Sequence, residues 1–348
     1  MPIISPSLIE SLPKTDLHCH LDGSLRLTTL IELAAKNGVK LPNSEQQAIM
    51  HYYQYGRVRK SLEEYLLGFE PLVAVMQKAE DIERVFFEVC EDAARENVWH
   101  LELRYCPYLH TRQGLSLVEV VEACIRGARR AEQDLAISVG QILCGLKHND
   151  RATILEVAQL AVQFRKQGVV GFDLAGPEHG FPIKDHLEAI YFAKKHHLFI
   201  TLHAGESYGP ASIFQAIHDA GAHRVGHGTS LLGDAELLAY VIDHRIGIEC
   251  CPTSNWHTGA VSSLEQHPLK RLLSAGARVS INTDNRLCSN TSITKEILTM
   301  IEYLGLDLAD IKRLLINGFK SAFLTYDQRS IMLKKFNKIW DDLIGYRA

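Results

Sequence analysis

The feature that most constrains the fold is a short apolar or β-branched run that recurs eight times along the chain. The eight runs are residues 15–21, 100–106, 137–143, 169–175, 198–204, 223–228, 245–251 and 278–284. Most of them are separated by helical patterns, such as Leu27, Leu30, Ile31 and Ala34, which stop at Gly38. Eight strands that alternate with helices predict an α/β fold, in which a parallel sheet closes into a (β/α)8 TIM barrel.

The longest insertion follows the first strand, at residues 38–80, and we expect it to be helical. An open doubly wound sheet is the alternative fold, but no GxGxxG follows the first strand, so the dinucleotide-binding signature is missing. Since no low-complexity linker divides the 348 residues, we expect a single domain over residues 1–348.

Composition limits the classes of partner. The net charge of −4 offers no basic footprint, so we expect no nucleic-acid partner. No apolar run is long enough to span a membrane, so we expect no membrane partner, and the first residues lack the pattern of a signal peptide. The eight cysteines show neither a CxxC nor a framework spacing, which predicts reduced, packed thiols in a cytoplasmic protein.

Polar residues stand where several of the strands end. His18 and His20 end the first strand, and His203, His227 and Asp284 end the fifth, sixth and eighth. Barrel enzymes place their chemistry at these carboxyl ends. Residues i and i+2 of a strand share a face, so the imidazoles of His18 and His20 can converge on one ion. With His203 and Asp284 they form a nitrogen and oxygen set suited to zinc, with a further position open for water.

Two residues and one pair at the strand ends suggest acid–base and substrate chemistry. Glu206 follows His203 by three positions, where a carboxyl can shuttle protons to and from a metal-bound water; a carboxylate at a helix N-terminus is the alternative. His227 lies between two glycines, which allow close approach of a substrate; a buried structural histidine is the alternative. In the pair Asp284–Asn285, one residue can take the metal or its water while the other faces the substrate, although such pairs are also common in turns.

Together and in order, these motifs resemble the adenosine deaminase family over nearly the whole chain. The segments that carry the resemblance are TDLHCHLDGS (15–24), GFDLAGPE (171–178), HAGE (203–206), VGHGT (225–229) and NTD (282–284). The resemblance implies hydrolytic deamination of adenosine, and of 2′-deoxyadenosine, to inosine and ammonia. A hydroxide on one Zn²⁺ per chain would attack purine C6 of this small-molecule substrate.

The resemblance also implies the roles of the metal and acid–base residues. The zinc ligands would be His18, His20, His203 and Asp284. Glu206 would protonate purine N1, and His227 would orient or deprotonate the metal-bound water.

The resemblance implies further residues that would contact the substrate. Asp22 would contact the ribose 5′-hydroxyl, and the backbone N–H of Gly176 would donate to purine N3. One motif departs from the family, since many members read TDDP where this chain reads TDNR (283–286). We therefore expect the amide of Asn285 to donate to purine N7. An apolar stripe at helical spacing would wall the pocket as part of a lid, with ordinary core as the alternative; it comprises Leu62, Tyr65, Leu66 and Phe69.

Three other functions stay open from the sequence. The substrate could be adenine or a 5′-substituted adenosine. A binuclear barrel hydrolase also uses an HxH pair, two further histidines and an aspartate, but it needs a bridging ligand, often a modified lysine, at the end of strand 4, where this chain reads GFDLAG. A catalytically inactive binding protein is the third.

Five histidines without a companion motif receive no role: His100, His148, His218, His223 and His244.

Overall fold

The computed structural model describes residues 4–54 and 62–345. The eight strands are β1 Lys14–His20, β2 Val98–Tyr105, β3 Ser138–Leu146, β4 Val169–Ala175, β5 Phe199–Ala204, β6 Arg224–His227, β7 Gly247–Cys250 and β8 Arg278–Ile281. Neighbouring strands pair in parallel, in the order of the sequence from β1 to β8. The predicted (β/α)8 barrel is confirmed.

The barrel closes where the loop after β8 meets β1. Cys19 and Asp284 form an isolated parallel bridge. The N–H of His20 donates to the carbonyl oxygen of Asp284 at 2.6 Å, and the N–H of Asp284 donates to the carbonyl oxygen of His18 at 2.7 Å. The backbone of one proposed ligand is thereby tied to the backbones of two others.

The predicted end of the eighth strand is wrong by three residues, because β8 ends at Ile281 rather than at Asp284. Side chains replace the backbone ladder beyond that point. Asn282 accepts the N–H of Leu17 through Oδ1 at 2.9 Å, and the carboxylate of Asp16 accepts both the N–H and the hydroxyl of Thr283. Asp284 then adopts a left-handed conformation, with φ at 58°.

Helices surround the strands. They are α1 Pro6–Ser11, α2 Leu27–Asn37, α3 Gln46–Gln54, α4 Leu62–Leu66, α5 Glu70–Ala74, α6 Ala79–Arg95, α7 Leu117–Asp134, α8 Arg151–Phe164, α9 Leu187–Lys195, α10 Pro210–Phe214, α11 Ala235–Asp243, α12 Pro252–His257, α13 Leu269–Ala275, α14 Ile293–Leu304, α15 Leu308–Ser321 and α16 Tyr326–Ile344. As predicted, α2 ends at Gly38, whose φ of 67° suits glycine. None of the helices among the described residues has the length and apolarity needed to cross a membrane.

The insertion after β1 is helical in its described part, as expected. It contributes α3, α4 and α5, while residues 55–61 lie outside the described residues. A 3-10 turn, Leu67–Phe69, continues α4. The insertion therefore lies at the end of β1 that carries His18 and His20.

The interior of the barrel contains paired charges in addition to apolar side chains. Arg224 donates to Glu249 at 2.5 Å and also to Glu102, and Arg104 donates to Asp173 and to Glu249, each at 2.9 Å. All five side chains are buried. Buried charges need such partners, because an unpaired charge in the interior is strongly destabilising. The eight cysteines are also buried.

Candidate active site

The four side chains predicted as metal ligands converge at the carboxyl ends of the strands. The candidate donor atoms of His18, His20, His203 and Asp284 all lie within 4.8 Å of one another. His20 Nε2 is 3.1 Å from His203 Nε2 and 3.4 Å from Asp284 Oδ1. Within the described residues, this is the group of histidine, cysteine and carboxylate side chains spaced to hold a metal ion.

Carboxylates behind two of the histidines fix the orientation of their rings. His18 Nδ1 lies 2.8 Å from Glu249 Oε2, and His203 Nδ1 lies 2.9 Å from Asp173 Oδ2. The hydroxyl of Ser254 donates to Oδ2 of Asp284 at 2.5 Å. The Nε2 atom of His18 is buried and lacks a hydrogen-bond partner among the described residues. Metal-binding histidines commonly donate from their second nitrogen to a carboxylate, so these residues fit a metal ion.

Arg104 joins the two supporting carboxylates, since it donates to both Asp173 and Glu249. Burial alone raises the pKa of Asp173, but His203 and Arg104 hold it well below its ordinary value. Burial likewise raises the pKa of Glu249, but Arg224 and Arg104 hold it well below its ordinary value. Both carboxylates are therefore charged acceptors for the imidazole N–H groups. The sequence analysis gives Asp173 and Glu249 no role. Each is the one charged residue of an otherwise apolar strand, which is the signal in the sequence that could have identified them.

Glu206 and His227 lie beside this cluster. His227 Nε2 is 3.6 Å from Glu206 Oε2, and the His227 ring centroid is 4.7 Å from that of His18. The hydroxyl of Thr258 donates to Glu206 Oε1 at 3.0 Å, and the amide of Asn255 contacts His227 Nδ1 at 2.9 Å. Glu206 precedes α10, but its carboxyl contacts side chains from other elements. His227 has a φ of 63°, an uncommon conformation for a residue with a β-carbon, and such residues often occur at functional sites.

A cavity of about 410 Å³ connects the cluster with the insertion after β1, and its volume is in the range of sites for small organic ligands. Of the residues singled out from the sequence, the cavity is lined by His20, Asp22, Leu62, Tyr65, Leu66, Phe69, Gly176, His203, Glu206, His227, Asp284 and Asn285. The apolar stripe therefore contacts the pocket, while Leu62 and Tyr65 are also buried in the core. His148, which received no role from the sequence, also lines the cavity.

The residues predicted to contact the substrate are held by local contacts. Asp22 Oδ1 lies 3.0 Å from His110 Nε2. Gly176 has a φ of 86°, a conformation that favours glycine and opens its backbone to the cavity. Asn285 places its amide oxygen against Gly23, where a β-carbon would lie 1.9 Å from that oxygen.

The fold and this cluster together define a (β/α)8 barrel with a candidate metal site at the carboxyl ends of its strands. The family model described as "Adenosine deaminase" matches residues 13–339. The chain belongs to the adenosine deaminase family.

Individual relatives agree with that assignment. "Probable adenosine deaminase" of Dictyostelium discoideum is 40% identical over 92% of this chain, which spans only 42% of that protein. "Adenosine deaminase 1" of Streptomyces coelicolor is 40% identical over 94% of this chain and 87% of its own length. Among solved structures, the Arabidopsis N6-mAMP deaminase is 31% identical with a TM-score of 0.85, over 95% of this chain and 99% of that one.

Proposed function

We propose that this chain is a zinc-dependent adenosine deaminase, which converts adenosine and 2′-deoxyadenosine to inosine and ammonia. One observation carries the proposal: three histidines and an aspartate converge within 4.8 Å, and Glu206 and His227 lie beside them in a cavity of nucleoside size. The family assignment and the relatives named adenosine deaminase support the same reaction.

The metal site suits one zinc ion per chain, held by His18, His20, His203 and Asp284. Three nitrogens and one oxygen are a donor set that zinc accepts, and a water can take a further position. When bound, zinc would lower the pKa of a water to about 7 and so would supply a hydroxide nucleophile at neutral pH.

Glu206 is the residue placed to move a proton to the purine. Thr258 donates to Oε1, and Oε2 remains directed towards His227. In its protonated form, Glu206 gives a proton to N1 while an oxygen adds at C6. The ring then gains no net negative charge. The C6 amino group takes the proton of the added hydroxyl and leaves as ammonia, while the hydroxyl oxygen becomes the C6 carbonyl of inosine and N1 keeps its proton.

His227 is better placed to orient the attacking oxygen than to deprotonate it. The amide nitrogen of Asn255 lies 2.9 Å from His227 Nδ1, while the amide oxygen of Asn255 accepts from the N–H of Cys251. With Nδ1 accepting from Asn255, the neutral imidazole carries its hydrogen on Nε2. That N–H can donate to the oxygen that attacks C6.

The other pocket residues would hold the nucleoside. Gly176 offers a backbone N–H to N3, and Asn285 offers an amide to N7. Asp22, held by His110, would accept the ribose 5′-hydroxyl. The apolar side chains Leu62, Tyr65, Leu66 and Phe69 would exclude water from the purine, which strengthens each polar contact inside.

The binuclear alternative lacks support at the end of β4. Asp173 already contacts His203 and Arg104 there. Lys147 follows the neighbouring β3, and its ammonium group donates a hydrogen bond to the carbonyl oxygen of His203 at 2.7 Å. An N6-mAMP deaminase shares the fold, but the buried carboxylate of Asp22 would repel a 5′-phosphate.

The test combines elemental analysis with the loss of adenosine absorbance as inosine forms. We expect one zinc per chain and stoichiometric ammonia. A metal-loaded protein that leaves adenosine unchanged would overturn the reaction, and two metals per chain would overturn the mononuclear site.

A further inference from the structure

Glu178, the last residue of GFDLAGPE, makes three hydrogen bonds to the segment that carries Glu206. Its Oε1 accepts the N–H of Glu206 at 3.1 Å, and its Oε2 accepts the N–H of Tyr208 at 3.2 Å and the hydroxyl of Ser212 at 2.9 Å. Ser212 in turn accepts the N–H of Gly205 at 2.7 Å. One carboxylate thus organises the whole turn between β5 and α10.

The surroundings of Glu178 keep it a charged acceptor. The residue is only 4% exposed. Burial raises the pKa of its carboxyl, but the Lys147 ammonium and the hydrogen bonds from Glu206 and Ser212 hold that pKa below its ordinary value. An ionised carboxylate accepts at both oxygens and donates at neither, which matches the three donors that face it.

The position of Glu178 links the two residues that are proposed to contact the six-membered ring of the purine. Glu178 follows Gly176 by two residues in the loop after β4, and it binds the backbone of Glu206 in the loop after β5. Gly176 and Glu206 are the groups proposed to meet N3 and N1, which belong to the same six-membered ring. The side chain of Glu178 therefore connects the loop that carries Gly176 to the loop that carries Glu206.

We infer that Glu178 is a positioning residue that sets the place of the Glu206 carboxyl relative to purine N1. The inference rests on the proposed function. Glu178 does not line the cavity, so it would act by fixing the backbone from which Glu206 extends. Displacement of a catalytic group by about 1 Å can cost about 100-fold in rate, so this brace has a measurable consequence.

The variant Glu178→Gln tests the inference with little change in volume. In either orientation, its amide nitrogen faces an N–H that has lost its acceptor, so the turn shifts. We expect kcat for adenosine to fall by about 10- to 100-fold, with KM changed by less than about threefold.

Combination with Glu206→Gln separates positioning from general destabilisation. If Glu178 acts through Glu206, the double variant should have a kcat within about threefold of Glu206→Gln alone, because residues that act as a unit are not additive. The matched control is Glu296→Gln. Glu296 is also buried, and it accepts a backbone N–H from Thr253 and a hydroxyl from Thr291. We expect any change in kcat caused by Glu296→Gln to multiply with that of Glu206→Gln.

Two results overturn the inference: wild-type kcat in Glu178→Gln, or losses that multiply in the double variant. Zinc content and thermal unfolding of each variant identify a folding failure. In that case Ser212→Ala replaces Glu178→Gln, because it removes one donor to Glu178 and the acceptor of the Gly205 N–H. It should lower kcat, and its loss should not multiply with that of Glu206→Gln. An inactive wild-type protein would overturn the proposed function, whereas an active one with multiplying losses overturns only the role of Glu178.

Discussion

The amide oxygen of Asn285 lies against Gly23, in space that only a residue without a β-carbon leaves open. A β-carbon on Gly23 would be 1.9 Å from that oxygen. The oxygen is buried and has no hydrogen-bond partner among the described residues. Since Asn285 also lines the cavity, its NH₂ group is the part that can face a ligand. The glycine of the first motif thus leaves room for the side chain of the residue that departs from TDDP.

This orientation predicts the response to 7-deazaadenosine, which has a C–H in place of the N7 acceptor. An amide donor that faces this C–H loses its hydrogen bond, and the loss should cost roughly 1–3 kcal/mol. The kcat/KM for 7-deazaadenosine should therefore be about 5- to 150-fold below that for adenosine. Equal efficiencies would show that Asn285 does not contact N7.

Gly23→Ala should damage the same contact from the protein side. The new methyl group displaces the Asn285 amide, and overpacking of this kind typically costs about 1–3 kcal/mol. We expect lower thermal stability, a lower kcat/KM for adenosine and a smaller penalty for 7-deazaadenosine. Gly345→Ala is the control, because a β-carbon at Gly345 meets nothing within 4 Å. An unchanged adenosine to 7-deazaadenosine ratio in Gly23→Ala would contradict the link.

The metal site should depend on both its ligands and their supports. His18→Ala should lose zinc and activity together. Glu249→Gln keeps the volume but weakens the acceptor for His18 Nδ1, and such changes typically lower metal affinity by about 10- to 100-fold. Competition with a chelator measures both variants. If His18→Ala retains zinc as the wild type does, His18 is not a ligand.

The two parts of this site differ in how far the sequence reveals them. His18 and His20 share a strand, so alternation alone predicts that they face the same way, and the structure brings them together. Glu249 lies on β7 and meets His18 across the barrel, a contact that depends on the register of strands far apart in the chain. The sequence predicts Asp284 inside a strand, because β propensity does not reveal that hydrogen bonds through the side chains of Asn282 and Thr283 replace the backbone ladder there.

Glu206→Gln should separate the acid–base role from metal binding. The variant keeps the volume and the contact with Thr258, so we expect zinc and substrate affinity to persist. Loss of the proton donor should lower kcat by at least about 100-fold. Elemental analysis and steady-state kinetics provide the two measurements. Loss of zinc in this variant would make Glu206 a ligand instead.

Glu296 should make the stability of the fold depend on pH. Burial raises the pKa of its carboxyl from 4.5 to about 7, against hydrogen bonds from Thr253 and Thr291 that lower it. A carboxyl that binds its proton more tightly in the folded state destabilises that state as the pH rises from the unfolded pKa to the folded one. Its contribution to the free energy of unfolding should therefore fall between about pH 4.5 and pH 7. Glu296→Gln resembles the protonated form, so it should remove this fall and stabilise the protein above pH 7 by on the order of 1–3 kcal/mol. Urea unfolding of both proteins at pH 5 and pH 8 measures the difference. If the variant loses stability equally at both values, the carboxyl of Glu296 does not titrate in this range.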